Sequence, residues 1–150
     1  MIALQVRFDR DDYLSVVRRF EQQFPAVLDN TVRGVASDAM EKVLNNTPVK
    51  TGQLKRNWQL SRKGNCNYEI KNDTSYVNHI EFGTRDHGPV TAPYLHFPII
   101  QGNSIQGWVR TLKVRGIRAR KMVANVIPWI TEQLPLRVRA QVESLWARGA

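Results

Sequence analysis

Residues 47–54 read Thr-Pro-Val-Lys-Thr-Gly-Gln-Leu, and residues 76–84 read Tyr-Val-Asn-His-Ile-Glu-Phe-Gly-Thr. We call these two segments the first and the second signature. Pro48 ends a preceding helix, because proline pushes the residue before it out of the helical region. Gly52 permits a tight turn, and Gly83 ends a half-buried element before a loop. Periodicity leaves residues 76–82 open between a third strand and a single helical turn.

The segment before the first signature has the pattern of an amphipathic helix. Its apolar residues step by threes and fours along one stripe, and it closes at Asn45-Asn46-Thr47-Pro48. The stripe consists of Leu28, Val32, Val35, Ala39 and Val43. Pro25 suits the first turn of this helix. A separate, shorter helix is therefore predicted before it, ending near Phe24-Pro25. The alternating residues 1–8 predict a short strand.

A hairpin is predicted after the first signature. Leu54, Trp58 and Leu60 share one parity, and Cys66, Tyr68 and Ile70 continue it after a turn at residues 63–65. Residues 83–107, with four glycines and three prolines, are interpreted as a long loop with an apolar patch at residues 94–100. From about Ile117 the spacing predicts a helix that Pro128 and Pro135 kink or split.

These elements define an α+β fold: a small antiparallel sheet, with a long N-terminal helix and a kinked C-terminal helix packed against it. The 150 residues are expected to form a single domain with a long loop insertion at about 84–116. The single cysteine, Cys66, makes no internal disulfide, and no signal-peptide pattern is present. No apolar run reaches membrane-spanning length. We expect folding in a cytoplasm and no membrane attachment.

Positive charge is concentrated at the C-terminal end. Residues 105–150 contain 9 Lys/Arg against 2 Asp/Glu, of totals of 22 and 13 in the chain. One acid-free stretch holds six of these cations and is a candidate for contact with phosphate or with an acidic protein surface. The alternative is that these cations lie on a solvated loop and helix face and have no binding role. The residues of this basic block are Arg110, Lys113, Arg115, Arg118, Arg120 and Lys121.

Catalytic and metal-binding patterns are missing from the sequence. His79, His87 and His96 lack the close ligand pairs of a zinc site. No phosphate loop, dinucleotide fingerprint or nucleophile elbow is present, so enzyme activity is disfavoured and no metal, cofactor or small-molecule substrate is expected. An acid–base pair of His79 with Glu81 is a remote alternative.

The tryptophans bear on a nucleic-acid alternative. Trp58, Trp129 and Trp146 are expected in the core. Trp108 adjoins the basic block. This neighbourhood keeps open the hypothesis that the protein is a small basic nucleic-acid-binding module in which Trp108 stacks on bases.

The order of helix, first signature, hairpin, second signature and C-terminal helix resembles the tail-completion family of long-tailed bacteriophages. The resemblance covers roughly residues 12–146. Members typically show a Thr-Gly-x-Leu turn, matched by Thr51, Gly52 and Leu54. They also show a Tyr-x-x-x-(Val/Ile)-Glu-x-Gly-Thr segment. Its matches here are Tyr76, Ile80, Glu81, Gly83 and Thr84, with Phe82 at the variable position. The long segment between Thr84 and Gly116 departs from the family's usual short loop.

The resemblance implies a structural virion protein that completes the tail or joins it to the head by protein–protein binding. It implies partners: further copies in a ring, most often a hexamer, portal or head-completion proteins, and tail or tail-terminator proteins. DNA would pass through the lumen. The resemblance also implies an interface role for the signature residues. The basic block would face an acidic neighbour, which we favour, or line the channel and contact phosphates. The expected location is the virion neck or tail, after assembly in the host cytoplasm.

Overall fold

One long helix organises the fold. The computed structural model describes residues 10–102 and 104–148, so the strand predicted for residues 1–8 lies outside the described residues. Helix α1 spans Arg10–Asn46 and ends where Pro48 predicts. Val35, Ala39 and Val43 of the predicted stripe are buried. The amphipathic helix before the first signature is therefore confirmed.

The predicted break at Phe24-Pro25 is wrong, because α1 continues through Pro25. An interior proline costs a helix about 3 kcal/mol. Aromatic packing directly before the proline offsets this cost. Phe20 and Phe24 stack with ring centroids 5.1 Å apart, and Phe20 meets Trp146 edge-on at 5.7 Å. Tertiary contacts thus override the local signal.

The hairpin after the first signature is confirmed, with two local corrections. A short helix α2, Gln53–Arg56, takes Leu54 out of the predicted strand. Strands β1 (Trp58–Gly64) and β2 (Asn67–Asn72) then pair antiparallel, with Leu60 opposite Ile70. The turn lies at residues 65–66 rather than 63–65, and Cys66 rather than a glycine adopts a positive φ, of 54°.

Residues 76–82 resolve as helix, and the loop that follows is more ordered than predicted. Helix α3 spans Val77–Phe82. Strands β3 (Leu95–Gln101) and β4 (Ser104–Thr111) form a second antiparallel hairpin inside the predicted loop. The glycines and prolines of this segment are typical of a loop, so the sequence pattern did not indicate the hairpin. Pro98 is tolerated because a two-stranded hairpin has only edge strands, where a missing N–H can face outward.

The last helix, α4, spans Ile127–Ala147 and starts ten residues after the predicted Ile117. Residues 117–121 are not helical, since their backbone groups bond to α3 and the second signature. Pro128 opens α4 and Pro135 lies inside it. The core joins α1, the first hairpin and the turns before α4. Its buried members are Ala39, Val43, Leu54, Trp58, Met122 and Val126.

The architecture is α+β, as predicted: a long N-terminal helix, two separate two-stranded antiparallel sheets and a C-terminal helix. α1 packs along α4 and also carries the first hairpin. Within residues 10–102 and 104–148, no helix is both long and apolar enough to cross a membrane.

Candidate functional site at the signature segments

The first signature is anchored by a buried threonine at the end of α1. Thr47 Oγ1 donates to the Val43 carbonyl at 2.6 Å and accepts from Trp58 Nε1 at 2.9 Å. Both the hydroxyl and the indole N–H are thereby satisfied inside the core. The threonine fixes the first hairpin to the end of α1.

The chain then turns sharply at Gly52, which has φ 77° and ψ −8°. This left-handed conformation is easily reached only by glycine. The turn starts α2, where the Arg56 N–H bonds to the Gly52 carbonyl at 3.0 Å. It also directs Leu54 into the core, while Thr51 stays exposed.

The second signature buries a carboxylate. Glu81 is only 6% exposed. Its carboxylate accepts hydrogen bonds from the Val123 N–H at 3.2 Å and the Ala124 N–H at 2.9 Å. These amides lie in the turns before α4, so Glu81 supplies acceptors to backbone donors that would otherwise be unsatisfied.

Gly83 and Thr84 complete this attachment. Gly83 has φ 76° and ψ 176°, a region essentially reserved for glycine. A Cβ there would stand 2.6 Å from the Ile117 carbonyl oxygen and 2.7 Å from the Ala119 nitrogen. The Thr84 N–H donates to the Ile117 carbonyl at 2.9 Å, and Thr84 Oγ1 accepts from the Ile117 N–H at 2.9 Å. The second signature therefore joins α3 to the segment that leads into α4.

The two signatures meet at an open groove of about 460 Å³. We call it the signature groove. Its apolar wall includes Val49, Leu54, Tyr76 and Ile80, and its charged rim includes Lys50 and Arg120. Sequence reasoning assigned the signatures and the basic block to separate features. The structure brings Arg120 of that block beside both signatures.

The groove has the chemistry of a binding surface. Val49 is 65% exposed at its edge, and Lys50 and Arg120 are both exposed. A segment carrying an apolar side chain and a carboxylate complements such a surface: the apolar group leaves water, and the carboxylate meets two cations.

Phe82 lies outside this groove and is 74% exposed. It borders a second cavity of about 300 Å³, lined on its apolar side by Trp58, Ile70, Val77 and Ile127. Large exposed apolar side chains beside a cavity are typical of interaction surfaces. Among the signature positions that carry the family resemblance, Phe82 and Thr51 are exposed, whereas Leu54 and Glu81 are buried.

The basic block is distributed over three places, and all six of its side chains are exposed. Arg110 lies on β4, and Lys113 and Arg115 lie just after it. Arg118, Arg120 and Lys121 lie on the segment held against α3, where Lys121 has a positive φ of 52°. Among the described residues, only Lys113 of the six has an ion-pair partner: Asp86, at 2.8 Å.

The Asp86 carboxylate also accepts a hydrogen bond from the backbone. Its Oδ1 accepts the Gly116 N–H at 2.8 Å. This bond, followed by the Lys113 contact, lowers the pKa of the Asp86 carboxyl. Near neutral pH the carboxylate is therefore ionised and partly offsets the local positive charge.

Sequence reasoning missed a second anchoring carboxylate, Asp29 on α1. It accepts the Cys66 N–H at 2.7 Å and the Tyr68 hydroxyl at 3.2 Å, and it pairs with Arg62 at 3.0 Å. The Cys66 N–H bond is the largest cause of the lowered pKa of Asp29. An aspartate three residues from Val32 on the helix looks like ordinary surface charge in sequence, so no local signal identifies it.

The remote acid–base alternative is not supported by the geometry. The Glu81 carboxylate is bonded to backbone amides of residues 123 and 124, and His79 is exposed. Within residues 10–102 and 104–148, no three His, Cys, Asp or Glu side chains are placed to hold a metal ion.

The tryptophan expectations hold in part. Trp58 is buried, and Trp129 is half-buried against the core. The core prediction for Trp146 is wrong: it is 45% exposed near the end of α4, where its ring meets Phe20 edge-on. Trp108, the tryptophan beside the basic block, is 59% exposed.

Fold and site together define a small α+β protein with an open groove where its two signatures meet. Residues 12–83 match the model of a family described as "Bacteriophage HK97-gp10, putative tail-component". The matched range contains the first signature whole and the second up to Gly83, and it covers just under half of the chain. The predicted resemblance to a tail family of bacteriophages is confirmed over these residues. No curated protein and no solved structure shows significant similarity to the chain.

Proposed function

We propose that this protein is a structural subunit of a phage tail that works by binding other virion proteins. One observation carries the proposal: the two signatures converge on one open groove, in a chain whose residues 12–83 match a phage tail-component family. The signature carboxylate Glu81 holds backbone rather than facing a reacting group. Binding, not catalysis, is the function that this arrangement supports.

The signature groove is the proposed contact for a neighbouring virion protein. Its occupant is an extended segment with at least one apolar residue and one carboxylate. Val49 and Ile80 would pack against the apolar residue, and Lys50 and Arg120 would meet the carboxylate. This use agrees with the acidic-neighbour role favoured for the basic block, of which Arg120 is a member.

The specific role that we propose is to complete the tail or to join it to the head. The protein would act there in a ring of copies, which we propose to be a hexamer. The groove and the cavity beside Phe82 have different linings and are the two binding surfaces that we propose on one subunit. Two different surfaces permit a heterologous, head-to-tail contact, which closes into a ring when the rotation allows it. Portal or head-completion proteins and tail or terminator proteins are the proposed neighbours, with DNA passing through the lumen.

The proposed location is the neck or tail of the virion, reached by assembly in the host cytoplasm. The long helix pair α1 and α4 would then supply the rigid body, while the signature segments supply the contacts.

Charge reversal in the groove tests this function. Lys50→Glu and Val49→Asp place negative charge where a carboxylate is proposed to bind. Both positions are exposed, so we expect unchanged thermal unfolding but few infectious particles when either variant complements a deletion of the gene. Arg18→Glu is the matched control: it reverses an exposed cation on α1, away from the groove. Normal yields with both groove variants would exclude the signature groove as an assembly contact.

A further inference from the structure

The second signature is followed by a segment that we call the arm, residues 85–116. It leaves at Thr84 and returns at Ile117, whose backbones bond to each other at 2.9 Å. His87 and Val114 also exchange backbone hydrogen bonds, of 3.0 and 2.8 Å. The arm is thus closed at its base and contains the β3–β4 hairpin.

The two faces of this hairpin differ in chemistry. Residues directly opposite each other on paired strands point to the same face. His96 stands opposite Arg110, and Pro98 stands opposite Trp108, so these four share one face. Phe97 and Val109 are paired on the other face.

The first of these faces combines exposed rings with a cation. The His96 and Trp108 rings lie 4.8 Å apart between centroids, and the Arg110 guanidinium lies 4.9 Å from the centre of the Tyr94 ring. We call Tyr94, His96, Trp108 and Arg110 the stacking face. Exposed rings interleaved with positive charge match the two demands of single-stranded nucleic acid, which offers unpaired bases and phosphates.

We propose that the stacking face binds single-stranded nucleic acid, with bases stacking on Trp108 and Tyr94 and phosphates meeting Arg110. Charge complementarity favours this occupant. Arg110 and Arg115 have no carboxylate partner among the described residues, while Lys113 is ion-paired to Asp86. A duplex keeps its bases stacked inside and cannot use the rings in this way. The proposal is independent of the tail role and uses a different surface.

The test is fluorescence anisotropy of the full chain with a labelled oligothymidylate of about 15 nucleotides, a length within the range that one small binding module covers. We expect saturable binding that weakens steeply with salt and exceeds binding to a duplex of the same length. Trp108→Ala should weaken binding by roughly 5- to 100-fold. Arg110→Gln should reduce the magnitude of the log–log salt slope by about 0.7, the value of one lost phosphate contact.

The same hairpin offers a matched control. Phe97→Ala removes a ring from the opposite face, where Phe97 is 39% exposed against 37% for Tyr94. Affinity should be unchanged in that variant, and Trp108→Phe should restore binding because it keeps a stacking surface. Circular dichroism and thermal unfolding of each variant report whether the arm is intact.

Three outcomes would overturn the proposal. One is equal affinity for Trp108→Ala and Phe97→Ala. Another is duplex binding as tight as single-strand binding and independent of Trp108. The third is displacement by polyglutamate as effective as displacement by oligothymidylate, which would assign the surface to an acidic protein partner.

Discussion

Glu81 is the residue that most clearly links signature to structure. It is a buried carboxylate whose bonds, among the described residues, go to the amides of Val123 and Ala124 rather than to a cation. Hydrogen bonds to an ionised group are stronger than neutral ones. The signature position is therefore explained by architecture: a glutamate on α3 fixes the chain at the start of the turns before α4.

Replacing Glu81 by alanine should lower the free energy of unfolding by about 2–4 kcal/mol, since two part-buried backbone amides lose a charged acceptor. Glu81→Gln keeps one carbonyl oxygen and should lose less. Urea denaturation of the three proteins measures both differences. A Glu81→Ala variant as stable as the parent chain would show that the carboxylate does not hold this segment.

Alanine substitutions at three glycines distinguish the effect of backbone strain from the effect of steric clash. Gly83→Ala meets both, and we expect a loss of more than about 3 kcal/mol. Gly102 has φ 61° but open space around it, so Gly102→Ala should cost only about 1 kcal/mol. Gly107 has neither problem, and its alanine variant should unfold like the parent. Equal losses at Gly83 and Gly102 would contradict the close approach of Gly83 to residues 117 and 119.

At the scale of elements, the first hairpin depends on α1 at both of its ends. Thr47 holds Trp58 at the start of β1, and Asp29 holds the turn at Cys66. A two-stranded hairpin is marginal without such support. The hairpin's stability should therefore follow the ionisation of Asp29.

The pKa of Asp29 is lowered by its bonds to Cys66 and Arg62. A lowered pKa contributes stability that is present above the ordinary aspartate value of about 3.9 and is lost as pH falls through the folded value. We expect the parent chain to lose stability on acidification below that value, and Asp29→Asn to be less stable near neutrality and to show a smaller acid-dependent loss. Thermal unfolding from pH 7 to pH 3 measures it. Parallel pH profiles for the two proteins would refute the role of Asp29.

The elements that the sequence predicted well are those with strong local patterns. The stripe of Val35, Ala39 and Val43 and the alternation around Leu60 and Ile70 each identified an element and its buried face. The groove was predictable only in part. The two signatures contain eight of its nine lining residues, but the approach of Arg120 depends on a hydrogen bond to Ile80, which is distant in sequence.

Other elements were mispredicted because long-range contacts decided them. α1 crosses Pro25 with the help of Trp146, which is more than a hundred residues away. Residues 117–121 have helical spacing, but their amides bond to α3: the Arg120 N–H donates to the Ile80 carbonyl at 2.9 Å. No local window contains these partners.

At the scale of the whole molecule, the described residues divide into the arm and a body, by which we mean the residues outside 85–116. The core residues lie on α1, α2, β1 and the turns before α4, and none belongs to residues 85–116. Because Thr84 and Ile117 are bonded neighbours, the chain can be closed at the base of the arm with little strain.

Replacing residues 87–114 by an Asn-Gly turn should leave a cooperatively folding body. Its melting temperature should lie within about 5 °C of the parent value, the equivalent of roughly 1 kcal/mol. Differential scanning calorimetry tests this. Loss of the cooperative transition would show that the arm contributes to the core.

The central claim, that this protein is a structural component of a phage tail, is tested most directly by electron microscopy of lysates from the parent phage or prophage with this gene deleted, beside a complemented control. The account predicts filled heads separated from tails, or tails of abnormal length, with normal particles restored by complementation. Normal, infectious particles in the absence of the gene would contradict it.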